Sequence, residues 1–300
     1  FLHPMRLLII LLFIGLIGLC KIATALERPS KFNLKSQITV DYDSYQFDPS
    51  ASGELVNWQI KGNYASTGRP YSAFVAVFPA SRFSFYPSVK EGCKSLVEPH
   101  ISSSTTYDCE YATNGAFFTW DYTQPSLCIG NLISDGKVWQ LPTDGTGTNR
   151  ANVGLTKDGK IFFGFPNSEL FQQESFSQLI TGWGWLVRKG INYVNASQDL
   201  SYSPGGFTLE KAPRTAVGFF NNGSMVLLEI DGEEDINYGP DLFETAELLV
   251  NLGVEAAVNI DGGGSSVSVK NGQVVSAPTC KDTPEICERA VANIACVRRQ

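Results

Sequence analysis

The chain has 300 residues, 23 Lys and Arg against 30 Asp and Glu, and a net charge of −7. That acidity argues against a nucleic-acid or anionic-membrane partner. An aromatic content of 12% argues against disorder, and the length suits one large domain or two small ones.

In chain order, Met5 is read as the natural start, with residues 1–4 upstream of it. Met5-Arg6 is a short basic n-region, and Leu7 to Leu19 is an unbroken apolar run. At about 13 residues the run fits a signal-peptide core and is short for a membrane span. Ala23-Thr24-Ala25 supplies a small-x-small cleavage pattern, so cleavage is expected after Ala25 and no stable membrane insertion afterwards. Residues 26–60 are polar and unpatterned and read as an N-terminal segment or propeptide. Residues 61–300 read as the main folded domain.

Beyond Tyr71, apolar runs alternate with turn signals. Residues 152–156 and 161–165 flank Lys157-Asp158-Gly159-Lys160 and predict a hairpin. Residues 215–220 and 225–230 predict a second. Residues 266–270 and 273–276, around Asn271-Gly272, predict a third. One amphipathic helix is expected over 242–252, with Asp241 and Glu244 at capping-box spacing and Gly253 just past its end. A weaker helix is expected over 171–180. Many strands and few helices give the fold class: α+β, a strand-rich mixed or antiparallel sheet core, disulfide-stapled.

Of seven Cys, Cys20 lies in the leader, leaving Cys93, Cys109, Cys128, Cys280, Cys287 and Cys296. An even set in an exported chain reads as three disulfides; the sequence leaves their pairing open. With only His3 and His100 and no C-x-x-C, zinc is not expected, and no cofactor is implied. Asn195-Ala-Ser197 and Asn222-Gly-Ser224 are glycosylation sequons.

Chemistry concentrates after the run Glu255–Ile260, at Asp261-Gly262-Gly263-Gly264-Ser265. Glycines there let backbone N–H groups approach an anion, and Ser265 adds a hydroxyl. No Lys follows the glycines, so this is not a nucleotide-binding phosphate loop. Arg214-Thr215 opens a strand where a guanidinium could clamp a phosphate. Asp231 ends another strand before Gly232-Glu233-Glu234-Asp235, and paired carboxylates are what glycoside hydrolysis uses. Asn114-Gly115 closes a further apolar stretch. Trp183 and Trp185 could stack on sugar rings, though core packing is their commoner use.

The ordered set TNGAFF, CIGNLISDGKV, NVGLTKDGKIFFGF, FSQLITGWGWLVRKGINYVNAS, RTAVGF, the Asp-Gly that follows, LFETAELL, NIDGGGSS and the Cys tail resembles the phosphodiester glycosidases over residues 82–297. The resemblance implies release of N-acetylglucosamine from a GlcNAc-α-phospho-mannose diester, exposing mannose 6-phosphate on lysosomal-enzyme glycans. It implies the pairs Cys93–Cys128, Cys109–Cys296 and Cys280–Cys287. It also implies work in the secretory pathway, in a Golgi or lysosomal lumen or outside the cell. The sequence departs from that pattern twice. Animal members continue into a Cys-rich module and a membrane span, whereas the sequence stops at Gln300, so a secreted or lumenal protein is expected. Glu233-Glu234-Asp235 stands where bacterial members commonly carry Arg, which makes another sugar phosphate the alternative substrate.

On this reading Asp261 or Asp231 activates water or stabilises the sugar cation. Arg214 and the N–H groups of Gly262, Gly263 and Gly264 take the phosphate, with Ser265 beside them. Asn114, Gly115, Thr215 and Asn259 meet the sugar. Two rival classes are a non-catalytic glycan-binding protein and a metal-dependent phosphodiesterase using Asp231, Glu233 and Asp261. The expected partner is a glycoprotein glycan or sugar phosphate, and a homo-oligomer is compatible with the sequence.

Overall fold

The computed structural model describes residues 41–141, 149–200 and 206–300. Among them, strands assemble into three sheets in which every strand pairing is antiparallel. The largest runs Ile191–Asn192, Trp185–Arg188, Ala256–Asn259, Arg214–Phe219, Ser224–Ile230, Pro70–Pro79, Val56–Asn63. A second runs Asp41–Gln46, Lys160–Phe165, Asn152–Thr156, Phe176–Thr181, Leu132–Ser134, Lys137–Gln140. The third runs Gln273–Val274, Ser268–Lys270, Cys109–Asn114, Asn293–Arg298, Phe83–Pro87. The expected α+β, strand-rich class is what the chain adopts.

Two-residue alternation builds two cores. In Arg214–Phe219 and Ser224–Ile230, Val217, Phe219, Met225 and Leu227 point into a cluster shared by all three sheets, with Phe83, Phe85, Phe163 and Val297. Ala216, Val226, Leu228 and Ile230 point the opposite way, onto helix Leu242–Asn251 through Leu242, Ala246 and Leu249. Both faces of the large sheet are therefore covered, which is why its inner strands read as continuous apolar runs.

All three predicted hairpins form. In the third, Asn271 (φ 50°) and Gly272 (φ 75°) make the left-handed pair that a tight hairpin turn requires. Its strands are shorter than expected, because Gly263–Ser265 is a 3-10 turn and Ser266 N–H donates back to Gly263 O at 3.0 Å. The capping box is complete: Glu244 N–H donates to Asp241 Oδ1 at 2.8 Å and Asp241 N–H to Glu244 Oε2 at 3.0 Å. Gly253 takes φ 84° just past the helix.

The weaker helix needs correction. Ser168–Gln173 is helical, but Phe176–Thr181 is a strand between Asn152–Thr156 and Leu132–Ser134. Phe176, Leu179 and Ile180 gain more from burial between neighbouring strands than from extending a short helix. Strands also occur within 26–60, at Asp41–Gln46 and the start of Val56–Asn63. The former is anchored by Arg188, whose guanidinium donates to Asp41 and Asp43 at 2.8–2.9 Å.

The disulfides are Cys93–Cys128, Cys109–Cys296 and Cys280–Cys287, the pairs that the family resemblance implied. Among the described residues no helix is long and apolar enough to cross a membrane.

Candidate active site

Several strands of two sheets end together, and the predicted site residues gather there. Asp261 leaves Ala256–Asn259, Arg214 opens the adjacent strand, and Asn114 ends Cys109–Asn114. Asp261 N–H donates to Gly115 O at 3.1 Å and joins the two sheets. Asn114 is wholly buried. Its Nδ2 donates to Asp261 O at 2.6 Å, while its Oδ1 accepts from Thr215 Oγ1 at 2.8 Å. Gly115 packs against Asn293, leaving no room for a Cβ. Asn259 is also buried, with Nδ2 donating to the carbonyls of Trp183 and Ile260.

These contacts correct the roles assigned to Asn114, Gly115, Thr215 and Asn259. All four are buried: Asn114 and Gly115 hold the Asp261 backbone, Thr215 supports Asn114, and Asn259 donates to neighbouring carbonyls while its Oδ1 is buried without a partner.

The glycines need a second correction. Gly262 N–H donates to Asp261 Oδ1 at 3.0 Å, Gly263 N–H to Pro213 O at 2.9 Å, and Gly264 N–H to Asp282 Oδ1 at 2.8 Å. None of the three is left for a phosphate. The absence of side chains serves a different purpose. Gly263 sits at φ 57°, and a Cβ there would collide with Glu234 Oε1. On Gly264 it would collide with Arg289 and lie 2.6 Å from Asp282 Oδ1. The triplet admits charged side chains from outside the turn.

The result is a charged cluster. The Asp261 carboxyl is pushed up to about 7, mainly by desolvation, against the opposing pull of Ser265 and Gly262 hydrogen bonds and Arg289. Glu234 is likewise pushed up to about 7, by desolvation first and then by Asp282 and Glu210; Arg214 and Arg289 oppose it. Arg289 donates to Asp282 Oδ2 at 2.7 Å and to Cys280 O at 2.9 Å. The first of these fixes Asp282 against the turn. The second ties the cluster to the Cys280–Cys287 loop.

Arg214 is placed behind the turn. Its side chain is 2% exposed and donates to the carbonyls of Phe207 and Glu210 at 3.2 and 2.8 Å. Nε is buried without a partner, and burial pulls the guanidinium below its ordinary pKa. Arg214 thus lies beneath the turn and out of reach of solvent, and Arg289, at 18% exposure, is the guanidinium nearer solvent.

Asp231 does not join the cluster. Its Oδ2 accepts from Ser72 Oγ at 2.8 Å and its Oδ1 from Ala277 N–H at 2.9 Å, so it ties two segments together. Among the described residues, Asp231, Glu233 and Asp261 do not form a metal-ligand group, nor do any other three His, Cys, Asp or Glu side chains. Trp185 is core, packed on Phe165 and Tyr193. Trp183 is half-buried, stacked on Phe207 at 4.4 Å with Arg150 over its ring. Asn195 and Asn222 are exposed on a 3-10 turn and a hairpin.

Glu234, Asp282 and Arg289 were missed as site residues. Glu234 stood in an acidic run with Asp231 as its expected member. Asp282 and Arg289 lie in the Cys tail, with only the disulfide loop to signal that it folds back.

The Phosphodiester glycosidase family model matches residues 107–298, which hold the turn, Glu234 and Arg289. The chain belongs to the phosphodiester glycosidase family. Curated relatives carry the name N-acetylglucosamine-1-phosphodiester alpha-N-acetylglucosaminidase. The human protein is 34% identical over 74% of this chain and 44% of its own length, and the mouse protein 36% over 63% and 37%. This member of the family thus spans less than half the length of those relatives. Among solved structures, it resembles the zebrafish enzyme's catalytic domain auto-inhibited by pro-peptide. That match has a TM-score of 0.76 and 30% identity, over 87% of this chain and 89% of that one. A hypothetical protein from Synechocystis shares the fold at TM-score 0.59 and 14% identity, over 81% of this chain and 61% of that one.

Proposed function

We propose that the protein hydrolyses the glycosidic C–O bond of a GlcNAc-α-phosphodiester, releasing N-acetylglucosamine and leaving a phosphomonoester on the partner sugar. The preferred diester is GlcNAc-α-phospho-mannose on a glycoprotein glycan, which makes mannose 6-phosphate the second product. The observation that carries this reading is the gathering of Glu234, Asp282 and Arg289 around the glycine turn that follows Asp261, in a chain of this family.

The chemistry follows from the leaving group. A phosphate ester departs as a weak base and needs little proton donation. Its departure needs charge stabilisation while positive charge develops on the sugar. Arg289 provides the former near solvent, with Arg214 adding charge from below. Asp261, held by Asn114 and Gly115 through its own backbone, is the carboxylate that activates water or stabilises the sugar cation. Glu234 at a raised pKa keeps a proton into the neutral range. A protonated Glu234 can donate to a phosphate oxygen where an ionised one would repel it.

The three disulfides support an oxidising, lumenal or extracellular setting. The exposed Asn195 and Asn222 are the glycan acceptors in this proposal. A leader ending at Ala25 and a propeptide ending before Asp41 complete it, since Asp41 and Asp43 anchor Arg188. A mature N-terminus beyond Asp43 would contradict that boundary.

The decisive experiment is turnover of GlcNAc-α-phospho-mannose in ¹⁸O-labelled water. Label on GlcNAc is expected. Label on phosphate means P–O cleavage and favours the metal-phosphodiesterase class. Glycan binding without turnover favours a binding protein.

A further inference from the structure

Beside the charged cluster, the chain leaves two large aromatics in water. Trp120 is 57% exposed and Tyr122 is 65% exposed. Their segment is nonetheless tightly built. Asp121 accepts from Thr123 N–H at 3.0 Å, Thr123 Oγ1 at 2.6 Å and Gln124 Nε2 at 2.8 Å. Its own N–H donates to Thr119 Oγ1 at 3.1 Å. Thr119 N–H donates to Leu127 O at 2.8 Å, and the adjacent Cys128 is bonded to Cys93. Phe118 packs edge-on to Trp120 at 5.0 Å. The segment thus invests hydrogen bonds and a disulfide in presenting an indole to solvent. A site that stacks on a flat apolar face gains from that arrangement.

The position of the indole says which face it takes. The Arg289 guanidinium lies 5.9 Å from the Trp120 ring, and the same side chain lies against Gly264 and acts on Asp261 and Glu234. The Arg289 guanidinium is thus shared between the Asp261 turn and the Trp120 indole, and it links the two. The order along a sugar phosphodiester is anomeric carbon, phosphate, second sugar. With the anomeric carbon at Asp261 and the phosphate drawn to Arg289, the second sugar falls on Trp120.

We infer that Trp120, flanked by Tyr122, is the subsite for the hexose on the far side of the phosphate, binding its apolar C–H face by stacking. This rests on the phosphodiester glycosidase reading above and adds the residue that selects the leaving sugar. Burial of an exposed aromatic face is worth about a factor of ten in affinity.

The test compares wild type, Trp120→Ala and Trp120→Phe on two diesters, GlcNAc-α-phospho-mannose and GlcNAc-α-phospho-methyl. The second has the phosphate but no second sugar. Trp120→Ala is expected to raise KM on the mannosyl diester about tenfold more than on the methyl diester, with Trp120→Phe restoring most of the difference. Equal losses on the two diesters, or no loss on either, overturn the subsite. Cleavage of the methyl diester and the thermal midpoint report whether each variant is folded.

A product titration separates this inference from the reading beneath it. By titration calorimetry, mannose 6-phosphate is expected to bind Trp120→Ala about tenfold more weakly than wild type. If wild type cleaves neither diester, the glycosidase reading fails while the titration still decides the subsite. Equal binding of the product by wild type and Trp120→Ala overturns the subsite even where turnover is normal.

Discussion

Two buried-side carboxyls with raised pKa values make a stability prediction that is separate from catalysis. Asp261 moves from 3.8 to about 7 and Glu234 from 4.5 to about 7. Between the unfolded and folded values, the native state keeps a proton that the unfolded chain has released. Stability is therefore full at low pH and falls as pH rises towards 7, by about 1.4 kcal/mol per pH unit for each group. Both groups are partly solvated and repel one another, so their joint loss from pH 5 to 8 is set at about 3–5 kcal/mol. Glu229, Asp199, Asp231 and Glu288 are also raised by burial and act in the same direction. The measurement is thus a difference. Urea unfolding by tryptophan fluorescence, disulfides intact, is run at pH 5, 6, 7 and 8 on wild type and on Asp261→Asn/Glu234→Gln. The double variant should lose about 3–5 kcal/mol less than wild type across that range, the four remaining groups cancelling. Parallel pH dependences would show that neither carboxyl is shifted and would remove the basis for placing the chemistry on this pair.

Glu234→Gln keeps an uncharged donor at the phosphate, so kcat on the phosphodiester should stay within about threefold of wild type below about pH 7 while the falling limb set by Glu234 ionisation disappears, read by release of GlcNAc across about pH 5–9. Gly263→Ala places a side chain at φ 57° and against Glu234, so about 1–2 kcal/mol of stability and most of the activity should go together, read by unfolding and turnover. Asn114→Ala removes the donor to Asp261 O and the acceptor for Thr215, and should cost about 1–3 kcal/mol by denaturant unfolding. If Asn114 acts by positioning Asp261, the same variant should lower kcat more than it raises KM.

How much of this was legible in the sequence differs between fold and site. Hairpins announced themselves because Asp158-Gly159 and Asn271-Gly272 supply local turn chemistry, and Asp241 with Glu244 did the same for the helix. The segment 171–180 misled because Phe176, Leu179 and Ile180 satisfy a helical spacing and a buried strand equally, and only the neighbouring strands decide. At the site, strand-end carboxylates were visible as Asp-Gly pairs, yet Asp231 and Asp261 look alike in sequence. What separates them is non-local: Ser72 and Ala277 saturate one, while Arg289 and Glu234 face the other. No local pattern carries that information.

The glycine triplet shows how one motif admits two physical readings. Glycines beside an anion site suggest exposed N–H groups, and in many turns they are exposed. Here each N–H already has an acceptor in Asp261, Pro213 or Asp282. What the missing Cβ atoms allow is the approach of Glu234, Asp282 and Arg289 to a strand end carrying Asp261. On the proposed function, the carboxyl pair and the guanidinium take the role that the three amides were expected to play. The guanidinium offsets the diester's charge, and the proton on Glu234 removes a repulsion. A serine or alanine at 263 or 264 would leave the turn recognisable and the charged cluster dispersed, so the glycines serve the chemistry through what they let in.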